Sequence, residues 1–103
     1  MNEDIDRYTK MVVQYPDNEV ARFSLGKAYF DAATFGEAKK HFELAVKRKP
    51  DWMVAHILIG KSALSLGDIP GARASFTKAH QLAIDQHHEG PQTEMESMLA
   101  DLE

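Results

Sequence analysis

A repeat of 34 residues constrains this chain more than any other feature. When residues 19–52 are laid on residues 53–86 without a gap, eight positions are identical: Val20/Val54, Ala21/Ala55, Gly26/Gly60, Lys27/Lys61, Ala38/Ala72, Phe42/Phe76, Ala45/Ala79 and Asp51/Asp85. Unrelated segments of this size share roughly two, given ordinary residue frequencies. Phe23/Ile57, Leu25/Ile59, Phe30/Leu64, Phe35/Ile69 and Lys39/Arg73 add similar pairs. A period of this length marks stacked copies of one small unit, none of which buries its apolar face alone.

Each unit reads as two helices. Leu25, Gly26 and Tyr29, and then Ala38, Phe42 and Ala45, recur at the spacing that gathers side chains on one helix face. Between them lies DAATFGE in the first copy and SLGDIPG in the second. Thr34 with Glu37 reads as a capping box, and Asp68 with Pro70 as a comparable helix start. Gly67 suits a left-handed helix end. Gly36 and Gly71 read as turn residues. Glycine inside a helix costs about 1 kcal/mol against alanine, so Gly26 and Gly60 mark places where a second helix comes too close for a Cβ. Small-on-small packing of Gly26 on Ala38 and Ala45, with Phe42 beside it, is the expected arrangement, repeated by Gly60, Ala72, Ala79 and Phe76.

A half copy precedes the first unit. Shifted by 34, Tyr8 falls on Phe42, Met11 on Ala45 and Pro16 on Pro50, and PDNEVA matches PDWMVA. Proline ends one helix, and Asp17 or Asp51 caps the next. Residues 3–15 are thus a second-type helix without its mate, packing Ile5, Tyr8, Val12 and Tyr15 on the first unit. After the second unit Ile84 stands where proline stood, so that helix is expected to run on to His87 or His88 until Gly90–Pro91 stops it. Met95, Met98, Leu99 and Leu102 then form one apolar stripe with an acidic face opposite, as a terminal helix of an open stack requires. The expected helices are 3–15, 19–32, 35–49, 53–66, 69–87 and 92–102. They form one all-α domain over 1–103: a half-repeat helix at 3–15, repeats at 19–52 and 53–86, and a capping helix within 91–103.

These residues resemble the tetratricopeptide repeat (TPR), a 34-residue helix-turn-helix with a loose Trp, Leu, Gly, Tyr, Ala, Phe, Ala, Pro signature. The first copy carries Leu25, Gly26, Tyr29, Ala38, Phe42, Ala45 and Pro50, with Arg22 in place of Trp. The second carries Ile59, Gly60, Ala72, Phe76 and Ala79, with His56 for Trp, Ala63 for Tyr and Ile84 for Pro. The resemblance covers about residues 3–86. It implies a TPR-like helical repeat, an α-α superhelix of about six antiparallel helices whose first helices line a concave groove. It also implies a non-enzymatic scaffold that binds an extended peptide or a helix there.

Read by periodicity, that groove carries Val20, Phe23, Lys27, Phe30 and Asp31 from the first copy and Val54, Ile57, Lys61, Leu64 and Ser65 from the second. Two readings stay open. A partner segment sits among Phe23, Phe30, Ile57 and Leu64, with Lys27 and Lys61 meeting an acidic group, or the chain's own terminal helix covers this surface. Self-assembly as a homodimer, through the groove stripes or the terminal helix, is the alternative function. Some relatives hold an acidic peptide C-terminus in a clamp of lysines and asparagines. Phe23 and Leu58 occupy two clamp positions here, so that mode is not expected.

Composition narrows the rest. With 103 residues, 44% hydrophobic and 27% charged, one globular domain is expected. The absence of cysteine leaves no disulfide or thiolate metal site and fits a cytoplasmic protein. A net charge of −4 argues against nucleic acid as a partner, and no apolar run is long enough for a membrane span. His41, His56, His80, His87 and His88 have no i, i+4 pair and no His-Glu-x-x-His, so no metal or other cofactor is expected. His88 and Glu89 are placed at a helix end, against its negative pole. Lys47, Arg48 and Lys49 read as a helix's last turn, and Trp52 as a staple packing back on the preceding helix.

Overall fold

The computed structural model describes residues 2–103. Among the described residues there are six helices and no strand: α1 (Glu3–Gln14), α2 (Glu19–Asp31), α3 (Phe35–Arg48), α4 (Met53–Ser65), α5 (Ile69–Asp85) and α6 (Glu89–Asp101). Each packs chiefly on its neighbours in sequence, α1 on α2 through to α5 on α6. The result is an elongated stack, 39 × 27 × 20 Å. No helix among the described residues is long and apolar enough to cross a membrane.

The repeat is visible in the backbone. After α2, Ala33 takes φ +59°, and 34 residues on, after α4, Gly67 takes φ +79°. Both turns close alike: the Thr34 N–H donates to Tyr29 O and the Asp68 N–H to Ala63 O, each at 2.9 Å. Such a left-handed residue satisfies carbonyls the helix end would leave unpaired. Glycine does this without strain, whereas Ala33 has a Cβ in an unfavourable region.

The nearest neighbours of both glycines are rings. A Cβ on Gly26 would lie 2.8 Å from Phe42 Cδ1, and one on Gly60 would lie 2.5 Å from Phe76 Cδ1. Ala38, Phe42, Ala45, Ala72, Phe76 and Ala79 all have zero exposure. Each helix pair is therefore locked by a phenyl ring lying on a bare backbone, with alanines on either side.

The helix starts differ in detail from expectation. Asn18 caps α2, its side chain accepting from Ala21 N at 2.9 Å, so Asp17 is not the cap. Trp52 occupies the cap position of α4 in place of Asp51, with no side-chain cap bond. Thr34 is the α3 cap residue, but its side chain bonds nothing, so there is no capping box with Glu37. Asp68 does cap α5, accepting from Gly71 N at 3.0 Å, with Pro70 in the first turn. Gly36 and Gly71 lie inside the first turns of α3 and α5 rather than in loops.

The end of α5 is a clearer correction. The helix stops at Asp85, because His87 adopts φ +60° and the His88 N–H donates to Ala83 O at 2.8 Å. The Gln86 side chain donates to Asp51 O at 2.9 Å and ties this end to the α3–α4 turn. Pro91 then falls in the first turn of α6, where a missing N–H costs nothing. Gly90–Pro91 thus begins a helix instead of ending one. His88 is the α6 cap residue and Glu89 opens its first turn, at the positive pole rather than the negative one.

Tyr15 is likewise corrected. Ile5, Tyr8 and Val12 do pack on Ala21 and Leu25, but Tyr15 is 53% exposed because the helix has ended.

Candidate functional site

The residues expected along the groove separate into two groups. On α2 the stripe is open. Val20 is 55% exposed, Lys27 and Asp31 are exposed, and Phe23 and Phe30 are half-buried. Lys27 Nζ donates to Asp31 Oδ1 at 2.6 Å and lies 6.0 Å above the Phe30 ring. Phe30 leans edge-on against Phe35, centroids 5.4 Å apart.

On α4 the stripe is open only at its start. Val54 is 43% exposed, but Ile57 is buried at 7%. Ile57 shares its core with Met53, Phe76 and Met95, and Leu64 packs on that core together with Met98, Leu99 and Leu102 of α6. Lys61 Nζ reaches Glu94 Oε2 of α6 at 3.5 Å. The apolar side of α6 is buried on the core that α4 and α5 share. The terminal helix thus covers the far end of the second stripe and leaves the near end free. Ser65 is exposed.

One feature was not anticipated from the sequence. Trp52 reaches beyond the end of α3 to α2. Its indole stacks on Phe23 of α2, centroids 4.4 Å apart and planes 17° from parallel, with Lys49 Nζ 5.3 Å from its ring centre. Val54 lines a cleft together with Trp52, and Val20 stands one turn before Phe23 on α2, so an exposed valine from each helix start borders this aromatic shelf. A cation above an indole is held by the ring's negative face. The signal was present in the repeat itself: Trp52 occupies the frame position of Asn18, where the first copy spends the residue on a cap.

A cleft of about 200 Å³ lies between α1 and α2, lined by Asp4, Tyr8, Phe23, Ser24, Lys27, Ala28 and Asp31. On the other side, Pro16, Asp17, Arg22, Leu44, Lys47 and Arg48 line one of about 210 Å³. Arg22, at the frame position of the signature tryptophan, donates from Nε to Pro16 O at 2.9 Å. Its Nη1 also donates to Nδ1 of buried His41 at 3.2 Å. The His41 ring lies parallel to Tyr29, 5.7 Å away.

Burial, then the charges of Arg22 and Lys40, hold the His41 pKa below its ordinary 6.5, against a smaller opposing pull from Glu37. The folded state therefore binds fewer protons than the unfolded one below that value. Stability should be full above about pH 6.5 and fall as the pH drops through the folded-state value. Urea titrations between about pH 7.5 and 5 should show this loss, and His41→Gln should flatten it.

The other histidines are scattered. His56 Nε2 meets Pro50 O at 2.8 Å, and His80 Nε2 meets Glu96 Oε2 at 2.9 Å. That hydrogen bond, aided by Gln92, holds the Glu96 carboxyl below the usual carboxylate range. Among the described residues no three potential metal ligands converge.

Comparison with known proteins agrees with this architecture. A TPR repeat-containing protein of Pseudomonas aeruginosa is 34% identical over 92 residues, which span 89% of this chain and 86% of that protein. The Hsp70-Hsp90 organizing protein of Triticum aestivum is 29% identical over 83 residues, 81% of this chain but only 14% of that protein. A Bordetella parapertussis protein of known solution structure superposes with a TM-score of 0.83 at 29% identity, covering 99% of this chain and 89% of that one. No family model matches the chain.

Proposed function

We propose a function from one premise, that this chain belongs to the tetratricopeptide repeat family: it is a non-enzymatic module that seats a segment of a partner protein on the face shared by α2 and α4. Its relatives support a protein-interaction role in general terms. The finer reading rests on one observation, the shelf of Val20, Phe23, Trp52 and Val54. Elsewhere in the repeats the apolar positions of α2 and α4 are largely covered, yet these two valines stand in the same frame position of both copies and remain exposed. Burying two valines and the free faces of two rings supplies several kcal/mol at about 25 cal/mol per Å². Lys27 and Asp31 flank the shelf with one charge of each sign. A short extended or helical apolar segment with polar neighbours fits it. Residues 1–103 act as a single unit in this reading, in the cytoplasm, without a cofactor.

Partner capture from extracts of the source cell, with the held protein identified and its affinity then measured, tests this. Val20→Glu and Val54→Glu should each weaken capture about tenfold or more, the loss of one desolvated anchor. Their helical spectra and melting should stay unchanged. Phe23→Glu and Ile57→Glu are poorer probes, since both side chains also serve the core. Unaltered affinity in folded Val20→Glu and Val54→Glu would place the partner elsewhere.

A further inference from the structure

The cleft between the α1–α2 turn and the last turns of α3 is charged in a way the stack itself does not require. Arg22, Lys47 and Arg48 line it, with Asp17 as the one acid and Pro16 and Leu44 as the apolar part. Lys47 and Arg48 are exposed, and none of the three bases is in an ion pair among the described residues. Three bases against one acid leave two positive charges unbalanced, in a chain whose net charge is −4. The geometry points to a site for a phosphate monoester, borne by a side chain of an extended protein segment. This site shares no residue with the shelf on α2 and α4 and does not depend on it.

Neither the helix pole nor the turn accounts for these bases. Cations in a last turn are favoured by the negative end of a helix, yet α5, the equivalent helix of the second copy, has no base in its last turn. Gln81 and Leu82 stand there one repeat after Lys47 and Arg48. Arg22 ties α2 to the preceding turn through Nε to Pro16 O, but His56 makes the same tie in the second copy, Nε2 to Pro50 O at 2.8 Å. The tie needs one donor and no permanent charge. What Arg22 adds is a guanidinium held by Pro16 O and by Nδ1 of buried His41, with its remaining N–H groups unpartnered among the described residues. Such a fixed fork matches the terminal oxygens of an oxyanion, and Lys47 and Arg48 add charged donors beside it.

The surplus charge selects the ligand. A phosphate monoester carries about −1.5 to −2 near neutral pH, whereas each phosphate of a nucleic acid carries one negative charge. A strand or an anionic bilayer would also set many further negative charges against an acidic molecule. The adjoining cleft favours a protein segment. It has a volume of about 400 Å³, shares Pro16, Asp17 and Arg48 with the first, and adds Gln14 and Tyr15. Tyr15 is 53% exposed, so a side chain next to the phosphorylated one has a ring to lie on.

NMR titration of the full chain at fixed ionic strength tests this. The probes are inorganic phosphate, a capped peptide with one phosphoserine between two leucines, and the same peptide without phosphate. The phosphopeptide should shift the amides of Asp17, Leu44 and Arg48 and bind about tenfold or more tighter than either other probe. Lys47→Gln and Arg48→Gln should each weaken it about tenfold, and Asp17→Asn should tighten it. Tyr15→Ala should weaken the phosphopeptide but not inorganic phosphate. Lys78→Gln, which removes an exposed base on α5, and Val20→Glu on the shelf should change neither. All six positions are exposed, and melting curves confirm that the variants fold. Equal binding with and without the phosphate overturns the proposal, as does a phosphopeptide no tighter than inorganic phosphate. So does a Lys78→Gln loss as large as that of Arg48→Gln, which would mean diffuse attraction. Tighter binding to oligouridine, or to vesicles of equimolar phosphatidylcholine and phosphatidylserine, would give the cleft to nucleic acid or membrane instead.

Discussion

Replacing Gly60 by leucine is expected to cost about 3 kcal/mol or more, even after the roughly 1 kcal/mol of helix propensity that leucine gains over glycine. The melting temperature should drop by about 15 °C or more for a domain of this size. The first atom of the new side chain already collides with Phe76, whose ring has zero exposure and nowhere to move. Interiors are packed as tightly as molecular crystals, so the strain can be relieved only by parting α4 from α5. Both helices also hold α6 and the start of the shelf, so the damage should spread to the whole C-terminal half. Leucine at Gly26 should be somewhat milder, because the equivalent ring leaves more room, 2.8 Å against 2.5 Å from Cδ1. Thermal and urea unfolding followed by circular dichroism read both effects.

Phe76→Ala attacks the same contact from the other side and should cost about 3–5 kcal/mol, the usual range for removing a fully buried ring. Phe76 is the ring around which Met53, Ile57, Ala63, Ala72, Ala79, Leu82 and Met95 gather. Removing it opens a cavity between two stiff helices whose backbones cannot collapse inward, since Gly60 contributes no side chain to fill the space. With total stability of about 5–15 kcal/mol typical of single domains, the variant retains little margin.

Much of this fold is written plainly in the sequence, because its strongest constraint is periodic. Gly26 and Gly60, with Phe42 and Phe76, announce the close helix contact. The left-handed turn at Gly67 is legible from glycine alone, and Asp68 with Pro70 marks the start of α5. What local pattern does not decide is the choice between near-equivalent neighbours. Asn18 caps α2 although Asp17 beside it could have served, and the Thr34 hydroxyl bonds nothing. The α5–α6 turn was hidden because His87 has no visible reason to adopt a left-handed backbone, while Gly90–Pro91 reads equally as the end of one helix or the start of the next.

The candidate face was half legible. Helical spacing locates Val20, Phe23, Val54 and Ile57, but spacing cannot say which of them another helix covers. That is decided by α6, whose apolar stripe is legible in the sequence while its landing place is not. The stacking of Trp52 on Phe23 joins residues 29 positions apart, at the starts of α4 and α2, a pairing that no local pattern encodes.

The decisive measurement is the coupling between Gly60 and Phe76. If the ring of one lies on the bare backbone of the other, leucine at 60 should fit the space left by alanine at 76. Gly60→Leu with Phe76→Ala should then be more stable than the sum of the two losses allows, by about 1–3 kcal/mol, as read from urea unfolding of all four proteins in the cycle. Losses that simply add would show that the two residues do not touch, and the account of stacked helix pairs locked by ring on glycine would be wrong.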